Sequence, residues 1–100
     1  MLDVNGILKK IEEKIDVIRG YGVKRIGVFG SYASEKQKPD SDIDVLVEFE
    51  KGKKTFDNYM ELKFFLEDLL KSKVGLVIYE SIKPELKPYI LKSVKYAAGP

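Results

Sequence analysis

The sequence contains no cysteine and no histidine. Without cysteine there is neither a disulfide framework nor a thiolate metal site. Without histidine, Ser-His-Asp triads, imidazole general bases and the usual zinc sites are excluded together. An excess of one charge sign is missing as well: 18 Lys and Arg against 16 Asp and Glu leave a net charge of +2. Lysine is interleaved with acids instead of forming a basic block, so nucleic acid is not expected as a direct substrate. No apolar stretch approaches the roughly 20 residues that span a bilayer, and no signal-peptide pattern opens the chain. The expectation is a cytoplasmic protein with no membrane partner. Its chemistry must rest on carboxylates, hydroxyls, lysines, tyrosines and backbone amides.

What is present is a balance of 44% hydrophobic and 34% charged residues over 100 positions, which suits one globular domain. No repeat, low-complexity tract or linker divides it, so residues 1–100 are read as a single domain. Val4, Ile7, Leu8, Ile11, Ile15 and Ile18 recur at three- and four-residue steps and predict one helix to about Arg19, ended by Gly20 and Gly22. Arg25–Gly30 is a short β-branched and aromatic run, a buried strand. Ser31 follows and can cap a short helix to about Glu35. After the Lys38–Ser41 turn, residues 42–49 alternate, with Ile43, Val45, Val47 and Phe49 on one face. Asp42, Asp44, Leu46 and Glu48 share the other, which is expected not to face a core. Thr55 can cap a helix carrying Tyr59, Leu62, Phe65, Leu66, Leu69 and Leu70 inward. Val74–Tyr79 reads as a third strand, and a last helix is expected after Pro84, with Pro88 in its first turn or at a second start, running on to Gly99. The fold class is α/β (α+β), a small sheet of about three strands flanked by helices.

Two local patterns carry chemistry. Side chains two apart on a strand point the same way, about 6.6 Å apart along the backbone. If the Asp42 and Asp44 carboxylates converged to about 4 Å, they would repel by about 4 kcal/mol at an effective dielectric near 20. A shared divalent cation reverses that sign, and Mg²⁺ takes one or two carboxylates plus substrate phosphates. A solvated strand start is the plainer alternative. Upstream, strand–Gly30–Ser31–helix places a residue without Cβ where a phosphate could approach, with helix N-terminal amides aimed at it. An ordinary tight turn with Ser31 as N-cap would look the same. Together the two patterns describe one triphosphate–Mg²⁺ site. A Walker loop is excluded because no second glycine precedes a Lys-Ser/Thr pair. An EF-hand starting at Asp40 fails at Val45 and Lys51, where glycine and glutamate are required.

Gly30-Ser31, ten intervening residues and Asp42-Ile43-Asp44 resemble the Gly-Ser-x10-Asp-x-Asp signature of DNA polymerase beta-like nucleotidyltransferases. The chain is similar to their smallest branch, the minimal nucleotidyltransferases. The likeness runs through Phe29–Ala33, Pro39–Val47 and the Leu76-Val77 strand with Lys83-Pro84 beyond. The resemblance implies a mixed sheet with flanking helices, and a nucleotidyltransferase that uses ATP or another NTP with Mg²⁺, Mn²⁺ being the alternative. It implies Gly30 and Ser31 at the nucleotide, and Asp42 and Asp44 as metal-holding catalytic residues. Members of this branch pair as antitoxins with a helical HEPN-type toxin that they adenylylate, so the implied partner is such a toxin, with homo- and hetero-oligomers both open.

The resemblance also exposes departures. Family members carry a third carboxylate in a Val-Asp-Leu-Val context; here the residues are Val74-Gly75-Leu76-Val77, so that position falls on Gly75. Ser34-Glu35 stands where related sequences read Arg-Gly. Glu48 shares the face of Asp42 and Asp44 but lies about 13 Å beyond Asp44, and Glu80 lies beyond the third strand. The expectation therefore divides between AMP transfer from ATP to a partner hydroxyl and a catalytically impaired fold acting as a binding antitoxin or a regulatory nucleotide-binding subunit. Tyr32 could stack a base or pack at the helix edge. Lys36, Lys38, Lys51, Lys53 and Lys54 are placed near the site, either steering phosphate or serving as solubilising surface.

Overall fold

The computed structural model describes residues 3–30 and 42–98. Helix α1 (Val4–Glu13) starts where the Asp3 carboxylate accepts the Gly6 N–H at 2.8 Å, an N-cap. The helix expected to run unbroken to Arg19 is two: α1 ends at Lys14, and α2 spans Ile15–Gly20. Both bury residues of the same apolar stripe, Val4, Ile7 and Ile11 from α1 and Ile18 from α2. Hydrophobic spacing is blind to a one-residue break that keeps both pieces facing the core.

Strand β1 (Val23–Phe29) pairs antiparallel with β2 (Ile43–Phe49). Helix α3 (Phe56–Leu70) then crosses over to β3 (Val74–Ile78), which pairs parallel with β2, the geometry of a βαβ unit. The Thr55 hydroxyl accepts the Asn58 N–H at 3.1 Å, so the expected cap of α3 is made. A short 3₁₀ turn (Tyr79–Ser81) leads to α4 (Lys87–Ser93), with Pro88 in its first turn. The expected continuation of α4 to Gly99 is corrected: Val94 is extended, and Lys95–Tyr96 form a fourth strand, β4, on β1. The sheet therefore has four strands, in the order β3-β2-β1-β4. Gly27 permits this close pairing, because a Cβ there would come 2.9 Å from the Lys95 carbonyl oxygen and from Val94 Cγ2.

One sheet face carries Ile26 and Val28, Ile43, Val45, Val47 and Phe49, and Val74 and Leu76. These pack in one buried cluster with Val4, Ile7, Ile11, Ile18, Leu62, Leu66 and Leu70 from the helices. The Tyr59 hydroxyl donates to the Leu76 carbonyl at 2.7 Å, and the Val74 N–H donates to Glu67 at 3.0 Å, so α3 is pinned to the edge strand β3 at two points. The opposite face is ordered in rows: Phe29–Asp44–Gly75, then Gly27–Leu46–Val77, then Arg25–Glu48. Leu46 is only 1% exposed, so this face is partly core, contrary to expectation. The Val94–Tyr96 segment lies against it at Gly27. Among the described residues, no helix is long and apolar enough to cross a membrane.

Candidate active site

Asp44 occupies the second position of β2, flanked in the sheet by Phe29 of β1 and Gly75 of β3. It is half-buried, whereas Asp42, just before the strand, is exposed. Burial raises the Asp44 carboxyl above its ordinary value, and the negative charge of Asp42 pushes it the same way. The Asp42 charge therefore acts on Asp44 across one intervening residue.

Gly30 closes the row from the other side. Its φ is +75°, a conformation that favours glycine, and a Cβ on it would collide with Asp44 Oδ2. The glycine that ends β1 is thus packed directly on the carboxylate, and the chain turns there without a side chain. Ser31, Tyr32, Ser34, Glu35, Lys36 and Lys38 lie outside the described residues.

Gly75 is in register with Asp44, and a Cβ added to it would stand 3.1 Å from Asp44 Oδ1. A side chain at this position would start against Asp44. Among the described residues, no three His, Cys, Asp or Glu side chains cluster in a way that could hold a metal ion. The row itself carries one carboxylate, Asp44, and Asp42 stands just before the strand.

Glu48, considered as a substitute, is engaged elsewhere. The Arg25 side chain donates to its Oε1 from Nε at 3.0 Å and from Nη2 at 2.9 Å, and Lys24 Nζ stands 3.9 Å from Oε2. A register shift between Val23 and Arg25 brings these consecutive cations to one carboxylate. The Arg25 guanidinium also lies over the Tyr96 ring at 4.7 Å and the Tyr79 ring at 5.9 Å. Its pKa is raised, first through the hydrogen bond to Glu48. Glu80 lies in the 3₁₀ turn after β3. Lys51, Lys53 and Lys54 follow the end of β2, about 20 Å of strand from Asp44, and Lys53 packs on Gly22. They are remote from the aspartates, which corrects their expected place. Phe29 beside Asp44 and the Arg25–Glu48–Tyr96 cluster went unread, because a strand's partners depend on register.

Comparison with known proteins bears on this geometry. A family model described as a nucleotidyltransferase domain matches residues 5–97. The chain is 46% identical over 90 residues to a candidate protein adenylyltransferase of Methanocaldococcus jannaschii, covering 90% of this chain and 92% of that protein. Among solved structures, a candidate minimal nucleotidyltransferase superposes with a TM-score of 0.81 at 32% identity, covering 94% of this chain and 95% of the other. A chain from the complex of tri-AMPylated Shewanella oneidensis HEPN toxin with its MNT antitoxin superposes with a TM-score of 0.65 at 26% identity, covering 93% and 73%.

Proposed function

The chain belongs to the nucleotidyltransferase family, and from that premise we propose that it transfers AMP from ATP to a hydroxyl of a HEPN-type toxin, which it silences as antitoxin. The observation that carries the reading is the packing of Gly30, a turn without Cβ, directly on the carboxylate of Asp44. This contact supports reading the Gly30 turn as part of a phosphate cradle beside a cation-holding Asp44. The AMPylated toxin in complex with a structurally similar antitoxin supports the choice of acceptor.

In this reading Gly30 and Ser31 receive the terminal phosphates, and Asp42 and Asp44 hold a divalent cation, Mg²⁺ or alternatively Mn²⁺. The residues fit such an ion, because both causes that raise Asp44, burial and a neighbouring negative charge, are relieved by a positive one. When bound, the ion supplies neutralisation of charge developing on the phosphates. The acceptor oxygen forms a bond to the α-phosphorus while the bond from that phosphorus to the bridging oxygen breaks. Pyrophosphate leaves, and the hydroxyl proton passes to solvent or to a base outside the row. Gly75 offers no such base. Catalysis by this chain therefore rests on orientation and charge compensation, without the roughly 10²–10⁴ that a placed general base contributes.

Gly75 equally favours a second reading, in which the fold neutralises its partner by contact or serves as a regulatory nucleotide-binding subunit. Incubating the chain with α-labelled ATP, Mg²⁺ and the purified partner separates the two. Label on the partner is expected. A tight complex carrying no label would reject transfer and leave the binding reading.

A further inference from the structure

Helix α3 has a second apolar side that the core does not use. Its inward face buries Leu62, Leu66 and Leu70. Phe56, Met60 and Phe64 fall at i, i+4 and i+8 on the outward side, a row about 12 Å long at 1.5 Å per residue. Phe56 is 77% exposed and Phe64 58%. Phe56 also walls a groove of about 270 Å³ between α3 and the edge strand, lined further by Lys54, Thr55, Tyr59, Ile78 and Ser81, so that a lysine stands at the groove and the acids stand along the row. The row thus continues into a hollow that a side chain can enter.

A single exposed phenylalanine needs no explanation, but two of them in one helical row beside a hollow do. The flank of the row names the occupant. Asp57, Glu61 and Asp68 are all exposed along one side of it. Among the described residues the one cation paired with this flank is Lys71, 3.9 Å from Asp68, in a fully solvated pair. We propose that Phe56, Met60 and Phe64 form a docking ridge for an amphipathic helix of a partner protein whose own apolar row is edged with lysine or arginine. A row at four-residue spacing packs into the grooves of a facing helix, and the acidic flank sets its register and repels acidic competitors. The ridge lies outside the helix layer, and the aspartates lie on the opposite face of the sheet. A helix seated on α3 therefore leaves Asp44 open. This inference does not rest on the reading of the aspartate site.

The test uses two synthetic amphipathic helices of about 20 residues, long enough to be helical, with the same leucine row edged by lysine in one and glutamate in the other. Fluorescence anisotropy at low salt is expected to show the lysine-edged helix binding at least about tenfold tighter, a margin that salt erodes. Phe64→Ser should abolish binding of both without unfolding the chain, since the ring is exposed. The double variant Asp57→Lys/Glu61→Lys should invert the preference. Equal binding of the two helices, or indifference to both variants, would overturn the proposal. So would self-association by light scattering that Phe64→Ser abolishes, which would give the ridge to a second copy. Transfer of AMP is scored separately, so either reading can fail while the other stands.

Discussion

Asp44 stands under three constraints at once: Gly30 packs on one oxygen, the Gly75 position faces the other, and Asp42 adds charge nearby. Gly30→Ala imposes both a left-handed conformation and a collision, so it should destabilise by about 1–3 kcal/mol, read as a lower denaturation midpoint. It should also displace the carboxylate and weaken divalent-cation binding in Mn²⁺ titrations. The pH dependence follows from the sign of the Asp44 shift. A folded carboxyl that holds its proton more tightly than the unfolded one adds no penalty below the ordinary value of 3.8. The penalty grows as pH rises from there through the raised folded value, and is constant above it. Thermal melts of the metal-free chain should decline across that window, and Asp44→Asn should flatten the decline. Cation affinity should climb across the same window, because the proton and the cation compete for one group. A cation affinity flat with pH would remove Asp44 from the metal site. At Gly75, an aspartate must push Asp44 aside by a few tenths of an ångström and adds a like charge. Gly75→Asp is expected to lower the metal-free melting temperature by about 4–8 °C, for about 1 kcal/mol. With MgATP and partner it should raise transfer by about 10² or more; an unchanged rate would show that the missing carboxylate is not the limiting feature. The strand that carries Asp44 and the turn at Gly30 were legible because strand alternation and a glycine turn are local rules. Phe29 was not, since its place opposite Asp44 depends on inter-strand register.

At the scale of elements, legibility followed the same division. Helix α3 announced itself through its cap and its buried row, and β2 through strict alternation. The break at Lys14 was invisible because both sides of it feed one core stripe. Strand β4 was missed because two residues carry too little pattern to compete with a preceding helix. What holds β4 in place is tertiary: pairing at Gly27, the Ala97 N–H donating to the Ile26 carbonyl at 2.9 Å, and Tyr96 under the Arg25 guanidinium. Arg25→Met keeps the aliphatic stem but loses the Glu48 pair and the stacking. It should reduce global stability by no more than about 1–2 kcal/mol. Local opening should respond more, with hydrogen exchange at the Ala97 amide accelerating ahead of amides in β2. Uniform acceleration across the sheet would mean that Arg25 supports the whole fold and not this strand in particular.

For the whole molecule, the sheet is the partition. One face is closed by α1, α2 and α3 over a continuous apolar cluster. The other is graded along each strand, from the aspartate row through buried Leu46 to the Arg25–Glu48 pair. Leu62→Ala on the closed face should cost about 2–5 kcal/mol and be read in a denaturant melt, a large share of the about 5–15 kcal/mol that holds a typical native protein together. Strand β2 lies inside the sheet, with β1 on one side and β3 on the other. Those neighbours come from opposite ends of the chain order: β1 precedes β2, and β3 follows only after the whole of α3. On a ribosome, β2 therefore emerges with one neighbour already made and its second hydrogen-bonding edge bare until Val74–Ile78 clear the exit tunnel. During that interval a row of Ile43, Val45 and Val47 lies beside unpaired amides, the moment of greatest exposure to adventitious strand pairing.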